Sequence, residues 1–174
     1  MNRLLVTAAL WAAILASQPA WARLHGEIVE FGETTSEPSA PSRPDAGTLS
    51  PIVPLKDIRF ISHADRLVAA RCLRFGVWFR ITSDSGERLP QMITAVIRHP
   101  RITRPDQVSA TEESYLTGVN GGMAYIGYTF GEAWEMQPGD WTLAFTYDGE
   151  LLASKTFAIT VPTPPSSVCE VPTS

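Results

Sequence analysis

The chain is poor in the residues that most often carry chemistry. Its 174 residues include two cysteines and three histidines, His25, His63 and His99. It has no His-x-His, His-Glu-x-x-His or Cys-x-x-Cys, which removes the ordinary zinc and haem signatures. It also has no Gly-x-Ser-x-Gly elbow and no glycine-rich phosphate loop, so the best-marked hydrolase and nucleotide motifs are missing. Of the 14 basic residues only Lys56 and Lys155 are lysines, and no polybasic tract forms. With 18 acidic residues the formal net charge is −4, so the chain has no general attraction for nucleic acid. Beyond the amino-terminal region no apolar run is long enough for a membrane helix. There is no internal repeat and no convincing amphipathic helix.

What is present begins with a leader. Met1, Asn2 and Arg3 place positive charge at the start. Residues 4–16 are then apolar except for Thr7, and Ser17, Gln18 and Pro19 end the run before Ala20-Trp21-Ala22. This order of charged, apolar and small residues predicts a signal peptide over residues 1–22, with cleavage after Ala22. The competing reading, a membrane anchor, needs about 20 apolar residues, and this run is shorter. No cysteine stands beside the cleavage position, which argues against a lipid anchor. The expected address is the periplasm or the extracellular space.

That address changes how the cysteines read. In an oxidising compartment Cys72 and Cys169 are most simply one disulfide, with free thiols or pairing between chains as the alternatives. A closed loop of about 100 residues gives on the order of 4–5 kcal/mol in the chain-entropy model.

The mature chain predicts one domain over 23–161 and a loose tail over 162–174. Residues 34–54 hold Pro38, Pro41, Pro44, Pro51 and Pro54 among serines and threonines, which predicts a mobile Pro/Ser-rich insertion. Strands are expected over 25–33, 56–62, 68–82 and 92–98, the last stopped by His99-Pro100. In the third, Leu73, Phe75, Val77, Phe79 and Ile81 share one parity, while Arg74, Gly76, Trp78 and Arg80 share the other. By that parity Cys72 sits on the outer face with Arg74 and Trp78. Residues 115–116 and 124–130 flank the turn sequence Val119-Asn120-Gly121-Gly122. Trp141, Leu143, Phe145 and Tyr147 lead into Asp148-Gly149, and Leu151, Phe157 and Ile159 follow. Keeping these apolar sets on one face predicts a three-residue connection with Gly149 in a bulge. About seven short strands predict an all-β fold, an antiparallel β-sandwich.

Three segments carry a family resemblance. They are Gly26-Glu27-Ile28-Val29-Glu30-Phe31-Gly32, Arg74-Phe75-Gly76-Val77, and Tyr128-Thr129-Phe130 with Trp134-Glu135 and Pro138-Gly139-Asp140-Trp141. Lys155 and Phe157 fit as well. Together they resemble the bacterial family called domain of unknown function 3859. The resemblance implies an immunoglobulin-like sandwich in an exported protein, and it implies no activity.

The candidate sites are few. Cleavage after Ala22 leaves Arg23-Leu24-His25, whose free amine, two backbone amides and His25 imidazole can hold Cu(II) or Ni(II) in a square plane. The bland alternative is a histidine that only precedes the first strand. Arg98, His99, Arg101 and Arg104 form a basic patch able to hold an anionic sugar or phosphate, or else a solvated loop. Trp78, outward by parity, completes a possible binding surface. Glu132, Glu135 and Asp140 lie near Trp134 and Trp141, an arrangement that can serve a glycan-acting enzyme or merely mark turns and core. The leading expectation is a non-catalytic binding or structural module without a cofactor, whose partner is an envelope protein or a glycan. A metal-handling terminus and a glycan enzyme are the alternatives.

Overall fold

Alternation of apolar and polar residues sets the faces of the nine strands found among the described residues. The structure, a computed structural model, describes residues 24–163 except Ser85 and Glu87, and Cys169. The leader, Arg23 and the rest of the tail lie outside the described residues. The strands are β1 (Leu24–Pro38), β2 (Leu55–Phe60), β3 (Arg66–Val68), β4 (Arg74–Ser83), β5 (Met92–Thr103), β6 (Ser109–Gly118), β7 (Met123–Thr129), β8 (Gly139–Tyr147) and β9 (Glu150–Thr160). Two sheets pack together, with orders β2-β1-β4-β7 and β3-β9-β8-β5-β6. All pairings are antiparallel except the three-residue match of β3 to β9. This is the expected β-sandwich, with more strands than the predicted seven.

The core follows the parity of β4. Phe75, Val77, Phe79 and Ile81 are buried, while Arg74, Trp78 and Arg80 stay on the outer side. Phe79 stacks on Phe145 of the opposite sheet at 4.2 Å between ring centres. Phe75 meets Trp141 edge-on at 6.0 Å and Phe157 at 5.0 Å. Trp141 is fully buried, and its indole N–H donates to the Gln137 carbonyl at 3.0 Å. A buried aromatic of this kind stabilises by about 1.5–3 kcal/mol through area alone.

Several local expectations are corrected. The segment 68–82 is two strands, with a turn at Cys72, whose φ of 68° is left-handed. Cys72 therefore lies on no strand face. Strand β5 does not stop at His99-Pro100 but runs on to Thr103. Its ladder to β6 is interrupted between Arg98 and Ile102, where a proline without an N–H is tolerated. The turn 119–122 joins no hairpin, because β6 and β7 belong to different sheets. The β8–β9 turn has two residues, with φ of 48° at Asp148 and 81° at Gly149. Pairing shifts beyond Phe145 instead, leaving Leu152 as the extra residue and Leu151 exposed.

The stretch 34–54 has defined contacts in the structure. Thr34 to Pro38 continue β1 and pair with β2. Residues 39–54 then form a strap with defined contacts. Ser39 N–H donates to Pro54 O at 2.8 Å, and Arg43 and Ile52 exchange two backbone hydrogen bonds. Asp45 accepts the Gly47 N–H at 2.9 Å, and Gly47 O accepts from Ser114 N–H of β6 at 2.8 Å. Prolines suit such a strap, because they remove donors that no ladder would satisfy.

Candidate functional site

The strap crosses the flank where β6 ends one sheet and β7 ends the other. Beneath it lies a cavity of about 680 Å³. One wall is the outer face of β4 and β7. The Tyr125 ring lies over Gly76 and Gly127, where a Cβ on either glycine would meet its hydroxyl. Trp78 packs edge-on against that ring at 5.5 Å. The second wall is β6, with Tyr115, Leu116 and Thr117. The strap residues Ile52, Val53 and Pro54 form the roof.

Two buried carboxylates fasten the strap. Glu113 of β6 accepts the Leu49 N–H at 2.7 Å. Glu135, 1% exposed, accepts the N–H groups of Gly131 at 2.6 Å and Glu132 at 2.8 Å. It also accepts the Ser50 hydroxyl. Behind Glu113 lies His99, also buried, whose Nε2 is 3.3 Å from the carboxylate. Its Nδ1 is 2.8 Å from the Pro100 carbonyl and so carries a proton, since a carbonyl only accepts. The His99 ring rests on Trp141 at 5.0 Å.

The tyrosines around the cavity are held neutral. Burial raises Tyr125 above its ordinary value, partly opposed by its hydrogen bond to Thr34 and by the Arg74 charge. Burial dominates at Tyr115 and Tyr128 as well, and pushes both well above the usual range. The Glu135 and Glu113 carboxylates add to the effect at Tyr128. Arg74 is half-buried, which lowers its guanidinium from its usual value. It donates to the Ser36 carbonyl at 3.1 Å, the Ser36 hydroxyl and the Thr129 hydroxyl at 2.8 Å.

Of the residues singled out in the sequence, the structure brings Trp78, Glu132 and Glu135 to the cavity lining. The basic patch does not assemble. Arg98 pairs with Glu112 at 2.7 Å, Arg101 is exposed, and Arg104 holds the Leu49 carbonyl at 3.1 Å and Asp106 at 2.8 Å. His99 turns inward because it continues the inward parity of Ile93, Ala95 and Ile97 along β5. Glu135 is structural, its oxygens occupied by N–H groups and a hydroxyl, which removes it as one of a catalytic pair. Asp140 is exposed at the start of β8. His25 is exposed and bonds Asp84 at 2.7 Å, while the Arg23 amine lies outside the described residues. Among the described residues no cluster of three or more His, Cys, Asp or Glu is placed to hold a metal. Cys72 and Cys169 form a disulfide, with Cα atoms 5.1 Å apart. No helix among the described residues is long and apolar enough to cross a membrane.

Sequence reasoning missed Glu113, Arg74 and the strap. No local signal marks Glu113, since its partner Leu49 lies 64 residues away. Arg74 was legible only as an outward residue of β4.

Comparison with solved structures finds an immunoglobulin-like protein from Pseudomonas aeruginosa. The match has a TM-score of 0.57 at 18% identity and covers 81% of this chain and 99% of that one. It establishes the immunoglobulin-like sandwich as the fold. No curated protein matches the chain. The family model described as domain of unknown function (DUF3859) matches residues 43–159, from the strap through β9, and the chain belongs to that family.

Proposed function

We propose that the protein is an exported, non-catalytic binding module whose ligand lies in the strap-covered cavity. The cavity itself carries this reading. Its volume of about 680 Å³ falls within the usual range for small-molecule sites. Its rim includes Val53, Met92 and Leu116, all well exposed for apolar residues, with Leu116 at 58%. Exposed apolar side chains gathered at a concavity mark a binding surface rather than chance. Export is supported by the leader over residues 1–22 and by the Cys72–Cys169 bridge, which suits an oxidising compartment.

The test uses the processed protein and the neutral dye Nile red. Gly118 lines the cavity, and a Cβ there meets no atom within 4 Å, so Gly118→Trp fills space without a clash at the backbone. The wild type is expected to bind the dye one to one with blue-shifted emission. The variant should lose that signal while its thermal unfolding stays unchanged. Equal binding by both proteins would place the dye elsewhere and overturn the reading.

A further inference from the structure

The groups lining the cavity narrow the ligand's chemistry. An added peptide strand binds through free main-chain groups at a sheet edge. Here several of those groups are already engaged. The Tyr125 carbonyl of β7 accepts from the Thr117 hydroxyl at 3.2 Å, and the Gly127 backbone bonds the Tyr115 hydroxyl. On β6, Ser114 N–H is taken by the strap carbonyl of Gly47.

A sugar needs many polar partners, because buried hydroxyls without partners are costly. Every lining hydroxyl but that of the buried Tyr128 has a partner among the described residues. Thr48 donates to Ser50 O at 2.7 Å, Ser50 to Glu135, and Thr129 accepts from Arg74. What stays open is aliphatic and thioether surface, including the adaptable Met92 and Met123. Two cations remain as well. Neither Arg43 nor Arg74 has a carboxylate within ion-pair distance among the described residues; of the three lining carboxylates, Glu135 and one oxygen of Glu113 are held by their own donors and Glu132 faces Arg71 at 3.9 Å. Both arginines line the cavity.

We infer that the cavity takes an aliphatic chain bearing an anionic head, with the head on Arg74 and Arg43 and the chain along Trp78, Met92 and Leu116. This rests on the cavity reading above. The chain can come from a free fatty acid or from an anionic phospholipid, since the two share this chemistry. Arg74 is the stronger contact. Its Nε and Nη1 are taken by Thr129 and Ser36, which fixes the guanidinium plane before the ligand arrives and leaves Nη2 to meet the head.

The experiment displaces Nile red from the processed protein with dodecanoate, dodecanol and dodecyltrimethylammonium, each below its micelle concentration. Dodecanoate should act at concentrations about tenfold or more below those of dodecanol, the size expected for a charge-assisted contact. The cationic chain should be weakest. In Arg74→Gln the gap should close, and Arg74→Lys should restore part of it. The comparison of ligands on the wild type stands even where a variant folds poorly.

Equal displacement by dodecanoate and dodecanol overturns the anionic head while leaving the cavity reading intact. Failure of the wild type to bind Nile red at all defeats the cavity reading itself. A flotation arm separates the two sources. Co-flotation with phosphatidylglycerol vesicles that Arg74→Gln abolishes assigns the chain to a membrane lipid. Displacement by dodecanoate without co-flotation assigns it to the free acid. Equal co-flotation with phosphatidylcholine vesicles counts against the anion.

Discussion

Glu135→Ala should be among the most damaging single changes outside the aromatic core. The carboxylate is 1% exposed and serves three donors, the N–H groups of Gly131 and Glu132 and the Ser50 hydroxyl. A donor left without its acceptor costs about 1–3 kcal/mol when buried. Gly131 and Glu132 are exposed residues, so water can replace part of what they lose, and the low end applies to each. The expected loss is about 3 kcal/mol, a large share of the 5–15 kcal/mol typical of a domain. For a chain of this size that lowers Tm by roughly 6–12 °C. Glu135→Gln keeps an oxygen for the two N–H groups and offers its amide to Ser50. It should lose only the charge, about 1 kcal/mol. Thermal unfolding followed by near-ultraviolet circular dichroism measures both. Hydrogen exchange at the Leu49 amide reports the strap separately, and should quicken in the alanine variant before the sheets open. If alanine and glutamine variants melt together within a degree of the wild type, the fastening role is wrong.

Two further outcomes follow from the same structure. Tyr115, Tyr125 and Tyr128 have folded-state values raised by burial above a tyrosine's ordinary value of about 10, so their stabilising effect is complete below that value and is lost as pH rises. The protein should therefore unfold cooperatively in alkali, and in a Tyr147→Phe variant, whose absorbance reports these three alone, tyrosinate should rise together with loss of β-structure; tyrosinate appearing in that variant while it is still folded contradicts the burial. Replacing Cys72 and Cys169 together by serine should lower stability by about 2–5 kcal/mol, read as a shift in denaturant midpoint. An unchanged midpoint would mean the bridge does not restrain the unfolded chain.

Some features were legible because they depend on neighbours in sequence. The nine-residue alternation around Phe75, Val77, Phe79 and Ile81 assigns each side chain a face whatever lies opposite, and the core matches it. The leader pattern made a Cys72–Cys169 bridge an expectation before any distance was known. Other features depend on distant partners. The Pro/Ser-rich stretch reads as unable to order itself because the groups that hold it, Glu113 and Ser114 of β6, lie far along the chain. The rule that proline ends a strand misplaced the end of β5, because an irregular ladder accommodates Pro100. Parity over the last hairpin correctly detected one extra residue but assigned it to the turn, whereas the bulge holds it at Leu152. At the candidate site, Trp78 was visible from parity. The fate of Glu135 was not, since nothing local separates a catalytic acid from one consumed by three donors.

The position of the disulfide divides the chain under load. Cys72 and Cys169 enclose β4 through β9, so only β1, β2 and β3 lie outside the covalent loop. Force applied between the amino-terminal strand and Cys169 therefore cannot stretch the greater part of the sandwich. It shears β1 from β4 and draws out residues 24–72, roughly 170 Å of extended chain, and then stops. Reduction releases a second length of roughly 330 Å from the 97-residue separation. A thiol reductant thus sets how far this molecule can be extended: the strap that roofs the cavity is pulled away first, while β4 through β9 stay tethered until the bond is cut.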